Sequence, residues 1–251
     1  SPPCSTSETC LNQPASCVHV PAWVTLCAPT QVGRQDASGF LLMAAQPTAQ
    51  SNGHSLAGRT LYVPQMAYAG GRMVAAAFRS IGIDATITPD SDHETLVLGG
   101  RHAMGEECLP HKITLGDFVK ICRQPGFDPS RTAFFMATSD GPCRFGQYVE
   151  HLKRELQDLG YGDVLIFSPS AENSYDGVRE HAGELMRTMW MAVTCGDLVT
   201  KFLYKTRPYE INPGDSERVY RQCVHDFADT VSHQDLSPDK RFRELVGRVE
   251  Q

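Results

Sequence analysis

The feature that most constrains the fold of this chain is an alternation of short apolar runs with helix-length amphipathic stretches, beginning at Arg59 and continuing to Phe167. Thr60-Leu61-Tyr62-Val63 is a buried-type strand closed by Pro64, and Ala85-Thr86-Ile87-Thr88 is a second one closed by Pro89. Between them, after Gly70-Gly71, the run Met73–Phe78 has helical spacing, and Gly82 is a natural stop. Asp92 predicts an N-cap for a helix over 93–102, and a further helix carries Ile113, Leu115, Phe118, Val119 and Ile121. Thr132–Ala137 is apolar on both faces, as a buried parallel strand must be. Gln147–Leu159 predicts a helix with Val149, Leu152, Leu156 and Leu159 on one side, and Asp163–Phe167 predicts a fourth strand. Connections this long between strands are crossovers rather than hairpins. The predicted fold is therefore α/β: a Rossmann-like, mainly parallel sheet with helices on both faces, followed by a helical segment.

The flanks read differently. Residues 1–58 are rich in Pro, Ser, Thr, Gln and Gly and predict an irregular leader and linker. Its Cys4, Cys10, Cys17 and Cys27 have spacings that fit no common zinc pattern, so incidental cysteines are preferred to a metal site. After the α/β part, 59–177, comes a helical region over 178–251, expected to pack on the sheet or to belong to a second lobe. There Leu185, Met186, Met189, Trp190, Val193, Phe202 and Leu203 recur at three- and four-residue steps. Asp215 or Ser216 is expected to cap a helix through Val219, Cys223, Phe227 and Val231, and Ser237-Pro238 to start a last one. The chain begins at Ser1 and stops at Gln251 inside a helical pattern, so a fragment or excised domain is expected.

Charge and composition exclude some partners. A net charge of −6 gives no support to nucleic-acid binding. No stretch approaches the ~20 apolar residues of a membrane helix, and no secretory signal is visible, so a cytoplasmic protein is expected. Nine cysteines are an odd number in a chain of 251 residues, long enough to bury a core without disulfide staples. Free thiols, with a few acting as ligands, are the better reading.

Two of those cysteines stand out. Cys108 lies in Gly105-Glu106-Glu107-Cys108-Leu109-Pro110-His111-Lys112, and Cys143 in Ser139-Asp140-Gly141-Pro142-Cys143-Arg144-Phe145-Gly146-Gln147-Tyr148. Each is expected on a loop leading into a helix, where backbone N–H groups and the dipole favour a thiolate. In open α/β sheets ligands bind beyond the carboxyl ends of the strands. The strand at Thr132–Ala137 delivers Cys143 there, and the loop before Ile113 can bring Cys108 to the same crevice. A disulfide between them is disfavoured, since nothing indicates an oxidising compartment. Soft thiolates on separate loops suit an iron–sulfur cluster better than zinc, which prefers close C-x2-C pairs. Cys122, Cys195 and Cys223 read as small core residues. Lys112 and Arg144 place positive charge, and Glu106 and Glu107 negative charge, beside the thiols. Gly70-Gly71 after a strand suggests a phosphate loop but matches neither G-x-G-x-x-G nor the Walker pattern.

At these residues the chain resembles the 2-hydroxyacyl-CoA dehydratase activase-related proteins. The similar runs are Glu107–Lys112, Gly141–Tyr148, Ser168-Pro169 with Ser174–Gly177, and Thr206–Glu210, within a stretch from about Arg59 to about Glu217. The resemblance implies Rossmann-like domains holding a [4Fe–4S]-type cluster, or a larger cluster built from it, with Cys108 and Cys143 as ligands. It also implies anaerobic, cytoplasmic, low-potential electron transfer within an activase/dehydratase-like system whose other segments or subunits are the partners. In related dehydratase subunits a third ligand comes much later in the chain. Many relatives carry Cys-x-x-Cys at the first motif, where this chain has His111; His111 either replaces a ligand or caps its helix, and the cap is favoured. The activase's ATPase domain is not expected here, because no phosphate-binding motif occurs. The chain thus reads as part of such a system rather than a complete enzyme. Two alternatives are a non-redox binding or scaffold domain that has lost the cluster and, more weakly, a thiol enzyme using Cys143 as nucleophile.

Overall fold

The computed structural model describes residues 56–139, 141–171 and 173–249. The expectations for the leader and its four cysteines lie outside these residues. Four strands form one sheet: β1 (Thr60–Val63), β2 (Ala85–Ile87), β3 (Thr132–Phe135) and β4 (Leu165–Phe167). Their order is β2-β1-β3-β4 and every neighbouring pair is parallel, with Leu61 opposite Ala85, Tyr62 opposite Phe134 and Phe134 opposite Ile166. The chain has the expected α/β, Rossmann-like fold followed by helices.

The period of two along each strand divides the core. Leu61, Val63, Ala133, Phe135 and Phe167 turn to one face, where they meet α1 (Tyr68–Ser80), α5 (Ala182–Thr206) and α6 (Asp215–Ser232). Tyr62, Phe134, Met136 and Ile166 turn to the other face, against α3 (Leu109–Cys122) and α4 (Tyr148–Asp158); α2 (His93–His102) packs on α3. The Phe118 ring stacks on Phe134 at 4.1 Å, while Phe78 meets Phe135 edge-on at 5.1 Å. The helices beyond residue 178 join the first core directly, so α5, α6 and α7 (Pro238–Val249) belong to the same body as the sheet.

Several boundaries differ from the sequence expectations, each for a physical reason. Helix α1 begins at Tyr68 and runs through Gly70 and Gly71, so these glycines are not a phosphate loop. A Cβ on Gly71 would lie 3.2 Å from the Pro64 carbonyl oxygen, so the glycine lets the helix turn close under its strand. Helix α6 is entered through Gly214, with φ of 99°, and not through a side chain of Asp215 or Ser216. Glu210 does the capping instead, accepting from the backbone N–H groups of Gly214 and Ser216, each at 2.9 Å. Asp92 caps α2 as the sequence indicates and forms a reciprocal capping box with Thr95.

Candidate functional site

The two cysteine segments meet at the start of α3 and α4. Cys108 is the residue before α3, with extended backbone and Pro110 in the first turn behind it. Cys143 occupies the same position before a single 3-10 turn, Arg144–Gln147, that runs straight into α4. Since α4 follows β3, its N-terminus lies past the carboxyl end of that strand. Glu107 shapes the first loop, its carboxylate accepting from the N–H groups of Met104 at 3.1 Å and Gly105 at 3.0 Å. Gly146 lets the second loop fold tightly, since a Cβ there would lie 2.5 Å from the Ser139 carbonyl oxygen.

Three contacts tie the loops together. The Arg144 guanidinium donates to the Glu106 carbonyl. The Tyr148 hydroxyl lies 2.6 Å from Cys108 Sγ. The Tyr148 ring packs on His111 at 4.3 Å and edge-on to Phe145 at 5.1 Å, which fixes where its hydroxyl points. Electrostatics then decides which atom donates. The Tyr148 hydrogen bond, outweighing partial burial, holds the Cys108 thiol below its ordinary range, with the His111 N–H and Arg144 adding to it. Burial, the bond to Cys108 and the charges of Cys108 and Cys143 push the Tyr148 phenol up. Tyr148 therefore keeps its proton, and its hydroxyl stabilises the thiolate form of Cys108 over the thiol. The Lys112 backbone carbonyl faces Gly99 of α2.

The two thiols are exposed to different degrees: Cys108 is half-buried and Cys143 is exposed. Cys122 and Cys195 are buried core thiols, and burial raises Cys122 to about 12. Cys223 packs against the first core. All five described cysteines are free.

His111 departs from the expected cap. Its ring is buried, 1 % exposed, and its Nε2 lies 2.8 Å from His151 Nδ1. His151 in turn faces Glu107 at 3.4 Å, and Glu155 approaches both His151, at 3.9 Å, and His102, at 3.7 Å. Glu107 and Glu155 both lie on the Nε2 side of His151, away from its Nδ1 contact with His111. Burial and the neighbouring His151 lower His111 to about 4, so it is neutral at pH 7. The signal for this group was in the sequence: His111 follows Cys108 by three residues as His151 follows Tyr148, so each pair shares one helix face. Nothing short of the α3–α4 packing says that the two faces meet.

The donor chemistry fits an iron–sulfur group, in that soft thiols stand at helix starts beside an arginine and a donor hydroxyl. The donor number does not complete one. Four cysteine thiolates hold a cubane cluster, and among the described residues no three His, Cys, Asp or Glu side chains converge as a metal-ligand set. Among the described residues the two loops supply two thiols, the half-buried Cys108 and the exposed Cys143. No known protein family, curated protein or solved structure matches the chain. The chemistry of the site thus rests on its own residues.

Proposed function

We propose that this domain is an iron–sulfur cluster-binding redox or activator module that contributes Cys108 and Cys143 and takes the remaining ligands from another segment or subunit. The reading includes a role in low-potential electron transfer to a 2-hydroxyacyl-CoA dehydratase-like system in the cytoplasm, as the resemblance of the two cysteine segments implies. The observation that carries it is the Tyr148 hydroxyl at 2.6 Å from Cys108, in a pair of loops joined by Arg144. A cluster would be held through Cys108 and Cys143 and would provide one-electron chemistry when bound. The chain's own residues do the rest. Tyr148 donates to the Cys108 sulfur, Arg144 balances negative charge and clasps the two loops, and the buried His111 with the half-buried His151 stiffens the ground beneath them.

Anaerobic reconstitution with ferrous iron and sulfide tests this. Reconstituted together with the segment or subunit that supplies the remaining ligands, the wild type should take up iron and sulfide in equal amounts, and Cys108→Ala and Cys143→Ala should each abolish uptake while circular dichroism stays unchanged. Equal iron content in all three proteins would overturn the assignment. A non-redox scaffold is the second reading, favoured by the absence of a third converging ligand among the described residues. It predicts no uptake by any of the three, alone or within a longer chain.

A further inference from the structure

Across β3 from the Cys108–Tyr148 contact, on the α1 and α5 side of the sheet, lies a cavity of about 320 Å³. This falls within the size range of small-molecule pockets, and it opens beyond the carboxyl ends of β3 and β4, the edge where open α/β sheets take ligands. Its floor is core: Phe78, Phe135 and Leu185, with Phe78 and Leu185 fully buried. Its rim is hydroxyl-bearing loop, with Thr138 and Ser139 after β3 and Ser170 after β4. No charged side chain lines it among the described residues.

The far wall is braced in an unfavourable backbone conformation. Ser174 and Tyr175 are consecutive non-glycine residues with φ of 53°, the left-handed region, and Tyr175 lines the cavity. Asn173 holds them there. Its side-chain oxygen accepts from the Ser170 N–H at 2.9 Å, and its amide donates to the Ser168 carbonyl at 2.8 Å. The Tyr175 N–H closes the loop onto the Ser170 carbonyl at 2.8 Å. Backbone strain of this kind persists only where surrounding contacts enforce it, and it gathers at ligand clamps. A wall fixed in advance costs a ligand no ordering entropy.

We propose that this cavity binds a small uncharged molecule, or an uncharged moiety of a larger one, with a compact apolar body and one hydrogen-bonding end. The body lies on Phe78, Phe135, Leu185 and Met189, and the polar end meets the hydroxyls of Thr138, Ser139 or Ser170. The apolar floor sets the class, because a charge brought onto Phe78, Phe135 and Leu185 would lose its hydration, and no charged side chain faces it among the described lining residues. The site is independent of the cluster reading, and neither depends on the other.

Indole is a suitable probe: flat, apolar and neutral, with a single N–H. In protein labelled at the methionine methyls, titration with indole should shift Met186 and Met189 along a saturable curve, while the exposed Met104 stays put. Indole-3-acetate, which adds a charge, should bind at least tenfold more weakly. Ala171→Trp places a bulky ring at an exposed position of the rim, should leave the fold intact by circular dichroism, and should abolish the shifts. The proposal is overturned if Met186 and Met189 shift only in proportion to Met104, if Ala171→Trp binds indole as the wild type does, or if the charged probe binds equally well.

Discussion

One hydroxyl favours the thiolate form of Cys108. Cys108 gains only partial shelter from its loop, and the Tyr148 hydrogen bond outweighs burial in holding its thiol below the ordinary range. Tyr148→Phe removes that donor with little change of shape. Iodoacetamide alkylation of Cys108 at pH 7, followed by peptide mass spectrometry, should slow by about tenfold, the worth of one hydrogen bond to a charged group. An unchanged rate would mean that Arg144 and the helix start suffice. The neighbouring His111 makes a second prediction. Its folded-state value is lowered from 6.5 to about 4, so the unfolded chain takes up a proton first as pH falls. The stability contributed by a neutral His111 is whole above about pH 6.5 and is lost on the way down to pH 4, by up to roughly 3 kcal/mol. Urea unfolding of the wild type and of His111→Gln at pH 7 and pH 4 checks this, since only the wild type should show that loss. Both cysteines were legible as site candidates from their own segments. The Tyr148 hydroxyl and the histidine pair were not, because each is defined by a partner forty residues away.

At the scale of elements, the position of the site depends on how closely α3 is held. Helices α2 and α3 touch backbone to backbone: a Cβ on Gly116 would lie 2.0 Å from the Thr95 carbonyl oxygen, and one on Gly99 would lie 1.8 Å from that of Lys112. Asp117 on α3, buried, accepts from Thr95 and Ser91 at 2.7 Å each and locks the register of the pair. Gly116→Ala must push the helices apart and should cost about 1–3 kcal/mol in denaturant unfolding, the usual range for overpacking. Gly100→Ala, on the same helix as Gly99 with no atom within 4 Å of the added carbon, should instead be neutral or stabilise by up to about 1 kcal/mol. Equal effects at the two positions would contradict the close packing. Helix α2 matched its expected span because a capping aspartate and an amphipathic period both mark it. The start of α1 did not, because a Gly-Gly pair reads locally as a loop and only the Pro64 carbonyl beside Gly71 shows why it is a helix.

At the scale of the molecule, a parallel sheet sorts its connections between two faces and so decides which loops meet. Strands β1 and β3 are neighbours, yet α1 follows β1 onto one face and α4 follows β3 onto the other. The sheet class was legible because buried parallel strands are apolar on both sides and crossovers are long. The packing of α5, α6 and α7 was only half legible, since an amphipathic period shows that a face is buried but not against what. Leu185, Cys195, Tyr220 and Phe227 supply the answer by sharing the core of Met73 and Phe78. Arg241 of α7, 1 % exposed, donates to the His233 carbonyl, Glu184 and Thr188, which pins the last helix to α5. No described helix is long and apolar enough to cross a membrane. The central claim concerns the opposite face, where two thiol-bearing loops are proposed to supply part of a cluster site. Its most direct test is the ultraviolet–visible and electron paramagnetic resonance spectrum of the protein isolated without oxygen together with the segment or subunit that supplies the remaining ligands. The account predicts a brown protein with broad visible absorbance and a paramagnetic signal in one redox state, both lost in Cys108→Ala and in Cys143→Ala. A protein that keeps the same colour and signal without either cysteine, or that is colourless even within a longer chain supplying further ligands, would contradict it.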